Sequence, residues 1–409
     1  MSSFLQLALE LAIILLAAKL AGYLAVRLGQ PSVLGEILVG VLLGPSLFDI
    51  AHLPFVRSES LAEAIHQLGE LGVMLLMFIA GLELHFHELA RSTKVSVLAG
   101  SLGVLLPVSA GWGLARLFGV DGQAAAFFGL TLGATSVSIS AQTLMELKVL
   151  RSRVGLGLLG AAVFDDILVI LLLSGFLAVA DGSRSLLGFV IILGRMLLFL
   201  VLSVAFGLFV LPRLARLAGR LAISQSVLSL SLIVMLVYGV AAEVFGGMAA
   251  ITGAFVAGLM FARSHEKERM EAGMHALAYG MFVPIFFVSI GLSVDLPDLD
   301  ASSLWLTLAV ILAAVGAKWL GAGLGARLGG FPWREAWQLG AGMISRGEVG
   351  LIVASVGISR ELITQAEFSA IVGMVLASTI LTPPLLRQLF KPPLPAKGND
   401  RSELPEESA

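Results

Sequence analysis

Runs of about 20 apolar residues follow one another along nearly the whole chain, from "FLQLALELAIILLAAKLAG" near one end to "AIVGMVLASTILTPPLLRQLF" near the other. A helix of about 20 residues spans a hydrocarbon core of roughly 30 Å. In that medium every backbone N–H and C=O must be satisfied within the protein, so only helices and closed barrels cross it. A barrel would show short segments of alternating polarity, and these runs are continuous. The chain therefore reads as an all-α polytopic membrane protein. Composition agrees: 58% of residues are hydrophobic and 13% charged, where soluble domains carry about 25% charged residues.

Charges, Gly and Pro divide the runs into about 13 expected transmembrane helices: 4–28, 31–48, 62–82, 93–118, 122–146, 154–180, 186–212, 223–243, 247–263, 274–293, 302–326, 335–358 and 365–389. With that division, Lys and Arg segregate strongly between alternate connections. One side holds Arg27, Arg91, Lys94, Lys148, Arg151, Arg153, Arg213, Arg216, Arg220, Arg263, Lys267, Arg269, Arg327, Arg334 and four residues from Arg387 onward; the other holds Arg57, Arg116, Arg184 and Arg360. By the positive-inside rule the N-terminus is expected outside and the C-terminus in the cytoplasm, in a multi-pass protein of the cell's inner membrane. The N-terminal run lacks a cationic leader and a small-residue cleavage site, so it is expected to remain as the first helix. The Pro-rich polar stretch 391–409 is expected to be a disordered cytoplasmic tail. Cysteine is absent, which excludes disulfides and thiolate chemistry. A net charge of −2 gives no sign of nucleic-acid binding.

Thirteen helices can be divided into six, one and six, with 186–212 as the linker helix. Two six-helix repeats joined by one helix must be inverted, as in many secondary transporters. A faint echo supports this: "LLMFIAGLELHF" (75–86) against "IFFVSIGLSVDL" (285–296), and "EILVGVLLG" (36–44) against "AAITGAFVAG" (249–258). Gly-rich helix packing can produce such likeness by itself.

The polar residues inside the apolar runs carry the functional information. Asp165 and Asp166 stand side by side in "GAAVFDDILVIL", and a carboxylate at mid-membrane costs roughly 2.5–3.5 kcal/mol on insertion scales. Adjacent residues point about 100° apart on a helix, so one can face a neighbouring helix while the other faces a cavity. Lys318, in "ILAAVGAKWLGAGLG", is expected to pair with a buried Asp, with snorkelling to the interface as the alternative. "LGATSVSISAQTL" (132–144) packs Gly133, Thr135, Ser136, Ser138 and Ser140 into the centre of one span. Hydroxyl side chains compete with helical hydrogen bonds, and an unwound crossing at membrane depth is tolerated only beside a cavity. Ordinary back-bonding in a packed helix would also fit. "GAGMISRGEVGLIVAS" (340–355) places Arg346, Gly347 and Glu348 in the span related to it by the repeat. Two broken helices there would turn dipole ends toward an ion, unless Arg346 and Glu348 simply pair. Glu36 can pair locally, and Glu83, His85 and His87 lie at a helix end without metal-site spacing.

Carboxylates, hydroxyls and free carbonyls form an all-oxygen site suited to hard cations. Such a cluster titrates as a group, so a monovalent cation and protons compete for the same oxygens. That chemistry fits exchange of one for the other. An intramembrane enzyme is disfavoured, since none of the six histidines forms an H-E-x-x-H pattern. A channel is disfavoured by the lack of a filter sequence. A Na⁺-coupled organic anion symporter stays open at this point, because fold does not determine function.

Taken together, "LGEILVGVLLGP", "LLMFIAGLEL", "GATSVSISAQTLMEL", "GAAVFDDILVIL", "FFVSIGLSVDL" and "GMISRGEVGLI" resemble the second monovalent cation:proton antiporter family, which holds NapA-type Na⁺/H⁺ and Kef-type K⁺/H⁺ antiporters. The resemblance runs over about residues 5–390. It implies an NhaA/NapA-like fold with a dimerisation part at about 1–85 and 223–293, and a mobile core at about 92–180 and 302–390 that moves as an elevator. It implies a homodimer in the lipid bilayer, no cofactor, and Na⁺ (also Li⁺) exchanged for H⁺. On the matching residues, Asp166 corresponds to the ion-binding aspartate and Asp165 to the partner of Lys318. Thr135, Ser136 and Ser138 fall at the first unwound crossing, and Arg346 and Glu348 at the second. The Asp-Asp pair resembles the electrogenic members. Kef-type chains carry Gln at the first Asp and a nucleotide-binding tail, and the absence of both favours the NapA-type reading over K⁺/H⁺ exchange.

Overall fold

The computed structural model describes residues 3–45, 59–84, 92–180, 186–220, 223–292, 303–347, 350, 353–354, 357–358 and 362–390, and the regular structure among them is helical. The tail 391–409, Glu348, His85 and His87 lie outside the described residues. The helices are α1 (Ser3–Arg27), α2 (Ser32–Leu43), α3 (Glu59–Glu83), α4 (Thr93–Leu117), α5 (Gly122–Gly133), α6 (Val137–Glu146), α7 (Arg153–Ala180), α8 (Leu186–Phe209), α9 (Leu211–Arg220), α10 (Ser226–Ala241), α11 (Ala250–Phe261), α12 (Lys267–Leu277), α13 (Val283–Leu292), α14 (Ser303–Leu328), α15 (Trp333–Gly342) and α16 (Gln365–Phe390). Ten helical stretches among the described residues are long and apolar enough to cross a membrane, with α2 and α11 as shorter apolar helices.

The boundaries differ from the sequence reading in four informative places. The span expected at 122–146 is two helices, α5 and α6, with Ala134–Ser136 between them in extended conformation. The span expected at 335–358 is interrupted: α15 ends at Gly342, residues 344–347 have no regular structure, and helix is found again at the described residues 350, 353–354 and 357–358. The span expected from 274 begins earlier, at Lys267, because the charged segment "KERMEAGMHAL" has good helix formers and little bulk to break it. Finally, the helix of 186–212 stops at Phe209 and a separate helix, α9, continues with Arg213, Arg216 and Arg220 along it.

The helices pack in two groups. In one, α14 lies along α4, α4 also packs on α5 and α7, and α15 and α16 close around α14. In the other, α3 packs on α11 and α13, α2 on α1 and α13, and α10 on α11. Helix α8 touches both, packing on α7 of the first group and α11 of the second. The groups meet where α6 lies against α3 and α2 and where α16 reaches α2.

Glycines allow the closest crossings within the second group. A Cβ at Gly81 of α3 would collide with the Phe255 carbonyl oxygen of α11, and one at Gly258 of α11 would collide with the Phe78 oxygen of α3. The crossing of α2 on α13 is built the same way, with Gly40 against the Val288 oxygen and Gly291 against the Val41 nitrogen. No side chain larger than hydrogen fits at these contacts, which is how membrane helices gain close van der Waals packing.

Candidate ion site at the crossing of two broken helices

The Gly and hydroxyl run that weakens helix in 132–144 leaves α5 ending at Gly133 and α6 starting at Val137. The extended link between them meets the irregular chain that follows α15. The Ser136 amide donates to the Ser345 carbonyl (2.9 Å), and the Ser345 hydroxyl donates back to the Ser136 carbonyl (2.6 Å). Ser140 donates to the Gly342 carbonyl and lies 3.1 Å from the Ser345 hydroxyl. Ser136 and Ser138 share a hydrogen bond between hydroxyls (2.9 Å), and Thr379 of α16 donates to the Arg346 carbonyl. A Cβ at Gly347 would sit 2.7 Å from the Ser136 side chain. The two breaks therefore satisfy much of each other's freed backbone, which is what makes irregular chain stable at membrane depth.

Breaking α5 and α15 exposes carbonyls at their C-terminal ends, where the helix dipole is negative. Two buried cations meet them. Lys318 Nζ donates to the Gly133 oxygen (2.8 Å) and to Asp165 Oδ1 (2.6 Å), and both side chains are fully buried. Arg346, also fully buried, donates to the oxygens of Leu132 (2.8 Å) and Ile344 (2.8 Å), with longer contacts to Met343 and Ala314. Each cation thus binds the end of a broken helix. Arg346 is brought to the crossing, and among the described residues its hydrogen bonds go to backbone carbonyls; the pairing with Glu348 falls outside the described residues.

Asp165 and Asp166 occupy the middle of α7 and diverge as neighbouring helical residues must. Asp165 points to Lys318, and its Oδ2 is buried with no hydrogen-bond partner. Asp166 instead lines a small cavity of about 10 Å³ with Val137 of α6, Val163 of α7, Met77 of α3, and Thr252 and Phe255 of α11. That is room for about one water-sized occupant. The cavity lies on the boundary between the two helix groups. Thr135 is buried close by in sequence with its hydroxyl unpartnered.

Several polar residues at the boundary do not stand out in the sequence. Glu146 of α6 accepts from the Ser32 amide (2.7 Å), the Ser32 hydroxyl (2.6 Å) and Gln142 (2.9 Å). Tyr279 donates to Gln142 (3.0 Å), and Lys19 donates to the Tyr279 carbonyl (2.7 Å). This network joins α6 of the first group to α1, α2 and the π-helical segment Ala278–Phe282 between α12 and α13 in the second. The i, i+4 spacing of Gln142 and Glu146 is its one trace in the sequence. Glu83 lies 4.0 Å from His275, with Glu271 adjacent; the sequence order groups Glu83 with His85 and His87 instead.

The transmembrane family model of sodium/hydrogen exchangers matches residues 13–391. The Na⁺/H⁺-K⁺ antiporter GerN of Bacillus cereus is 39% identical over 384 residues, covering 93% of this chain and 95% of GerN. The high-affinity Na⁺/H⁺ antiporter NhaS3 of Synechocystis is 34% identical, covering 97% of this chain and 91% of NhaS3. Among solved structures, the sodium proton antiporter MjNhaP1 of Methanocaldococcus jannaschii superposes with a TM-score of 0.68 at 17% identity, covering 94% of this chain and 98% of that one. That likeness shows a shared fold.

Proposed function

The chain belongs to the sodium/hydrogen exchanger family, and from that premise we propose that it exchanges Na⁺, and also Li⁺, for protons at the crossing of its two broken helices. It is a secondary transporter and not an enzyme. The observation that carries the reading is the division of labour between the two aspartates: Asp165 is bound to Lys318, while Asp166 faces a cavity on the boundary between the helix groups.

In this mechanism Asp166 binds the cation or a proton, never both. Thr135, Ser136 and Ser138 offer hydroxyl oxygens to the cation, and Asp165 joins them when it leaves Lys318. Arg346 holds the C-terminal ends of α5 and α15 together, and Glu348, two residues on in sequence, is proposed as a further acidic group serving the ion. When the cation enters, Asp166 gives up a proton; if Lys318 gives up another as Asp165 turns to the cation, two protons move against one cation and exchange is electrogenic. Alternating access follows if the group of α4–α7 and α14–α16 slides as an elevator against the group of α1–α3 and α10–α13, with α8 as the linker. The separate packing of the groups supports this. The Gly81–Gly258 and Gly291–Gly40 crossings support the inverted repeat, because it relates α3 on α11 to α13 on α2. The second group is the surface proposed for a homodimer, and the segregation of Lys and Arg supports a cytoplasmic C-terminus in the inner membrane.

The test uses purified protein in liposomes with an imposed pH gradient and a pH-sensitive dye. Na⁺, Li⁺ and K⁺ are added in turn, K⁺ because it appears in the name of GerN. Cation-driven proton movement is expected with Na⁺ and Li⁺ and is expected to vanish in Asp166→Asn. A wild type without it at any pH would overturn the proposal.

A further inference from the structure

We infer that Thr252 is a further cation ligand, an oxygen supplied to the ion from the opposite side of the boundary between the helix groups. This rests on the reading that Asp166 binds the cation.

The cavity beside Asp166 has two polar lining residues, Asp166 and Thr252, and the rest of its wall is apolar. Thr252 is 3% exposed, and its hydroxyl has no hydrogen-bond partner. Three buried helical hydroxyls among the described residues do find one. Thr143 donates to the Ile139 carbonyl, Ser231 to Val227 and Thr382 to Ser378, each four residues back. Thr252 stands in the first turn of α11, where the residue four back, Met248, precedes the helix. An unpaired buried hydroxyl is unfavourable, and Val would fill the same volume without that penalty. The oxygen therefore serves something the cavity receives. With a carboxylate opposite and room for about one water-sized occupant, the occupant is a hard monovalent cation.

The position on α11 decides when the contact is made. Asp166 belongs to α7 in the first group and Thr252 to α11 in the second, so sliding of one group on the other separates them. The N-terminal end of α11 also carries positive potential, which opposes a cation resting there. Thr252 then ligates the bound ion in the one orientation that brings the groups together, and the dipole of α11 keeps that contact weak.

The experiment measures Na⁺-dependent exchange in vesicles of both orientations, with Na⁺ presented to one face and then the other. Thr252→Val, Thr252→Ser and Asp166→Asn are compared with wild type, after gel filtration confirms that each is folded. Thr252→Val is expected to raise the KM for Na⁺ on one face by roughly three- to tenfold, the scale of one net hydrogen bond, and to leave the other face unchanged. Thr252→Ser, which keeps the oxygen, is expected to restore wild-type KM. An unchanged KM on both faces, or an equal rise on both, overturns the inference. If Asp166→Asn keeps wild-type exchange, the reading of the site itself fails, which is a separate result. Thermal stabilisation by NaCl over choline chloride gives a readout independent of transport: a smaller Na⁺ effect in Thr252→Val supports the ligand, and an equal one counts against it.

Discussion

Removing one partner of the Asp165–Lys318 pair tests the electrostatics of the crossing without any transport assay. The charged atoms lie 2.6 Å apart with both side chains fully buried. At an effective dielectric constant of about 20 their attraction is about 6 kcal/mol. Desolvating both ions takes back most of this, so the pair adds little net stability. Losing one partner is different: it strands the other charge, at roughly 3–5 kcal/mol. Lys318→Gln and Asp165→Asn should each destabilise by that amount. The double substitution leaves a neutral amide pair with nothing stranded. It should therefore cost no more than either single change, where additivity would demand roughly 6–10 kcal/mol. Unfolding of the detergent-solubilised protein can be followed by tryptophan fluorescence. Trp319, next to Lys318 in sequence and packed on Trp337 at 5.9 Å, is well placed to report. A double variant whose loss equals the sum of the singles would refute the reasoning, since it would mean the two charges do not depend on each other.

Gly258→Ala should lower stability by about 1–3 kcal/mol, the usual range for overpacking, because its Cβ would meet the Phe78 carbonyl; a thermal melt in detergent checks this, and an unchanged melt would mean that α3 and α11 are not packed at this distance. Glu146→Gln turns an amide donor toward the donors Ser32 and Gln142. It should cost about 1.5–3 kcal/mol by the same melt, the scale of a charge-assisted hydrogen bond, while Glu146→Asp should recover part of it.

The long apolar runs were legible because a membrane helix needs length and little else. The break between α5 and α6 was legible too, since Gly133, Thr135, Ser136 and Ser138 all weaken helix in one place. Asp165, Asp166 and Lys318 stood out because ionised groups are costly in hydrocarbon. What they contact was harder to read. From the residues alone, adjacency says that the two aspartates diverge; which one meets Lys318, 153 positions away, depends on the rotation of α7 against α14. For Arg346 the sequence offers a pair with Glu348 as one alternative and gives no hint of the carbonyls of two broken helix ends, acceptors that exist only once the helices cross. Thr252 was invisible for a related reason. A threonine in an apolar helix is ordinary until its hydroxyl is seen to lack a partner beside a carboxylate. Helix α9 is not legible in the sequence because Arg213, Arg216 and Arg220, beyond the end of an apolar run, read as a charged connection.

The adjacency of two acids in one membrane helix follows from charge balance. Among the described residues at the crossing, Asp165 and Asp166 stand against Lys318 and Arg346, so the fully ionised group is formally neutral. Adding a monovalent cation would leave one uncompensated positive charge in a poorly polarisable interior, a cost of several kcal/mol. Releasing a proton removes it. Cation and proton are therefore antagonistic ligands of one cluster, whichever group happens to hold the proton. A single aspartate with no buried lysine would couple one proton to one cation. On the proposed mechanism the second aspartate brings in Lys318 as a second proton carrier, because a lysine deprived of its carboxylate is a stranded charge that favours losing its own proton. The sharp consequence is electrical. Combining Asp165→Asn with Lys318→Gln should leave a folded protein whose residual exchange carries no net current. A double variant that still generates a membrane potential during Na⁺-driven exchange would place the second proton elsewhere.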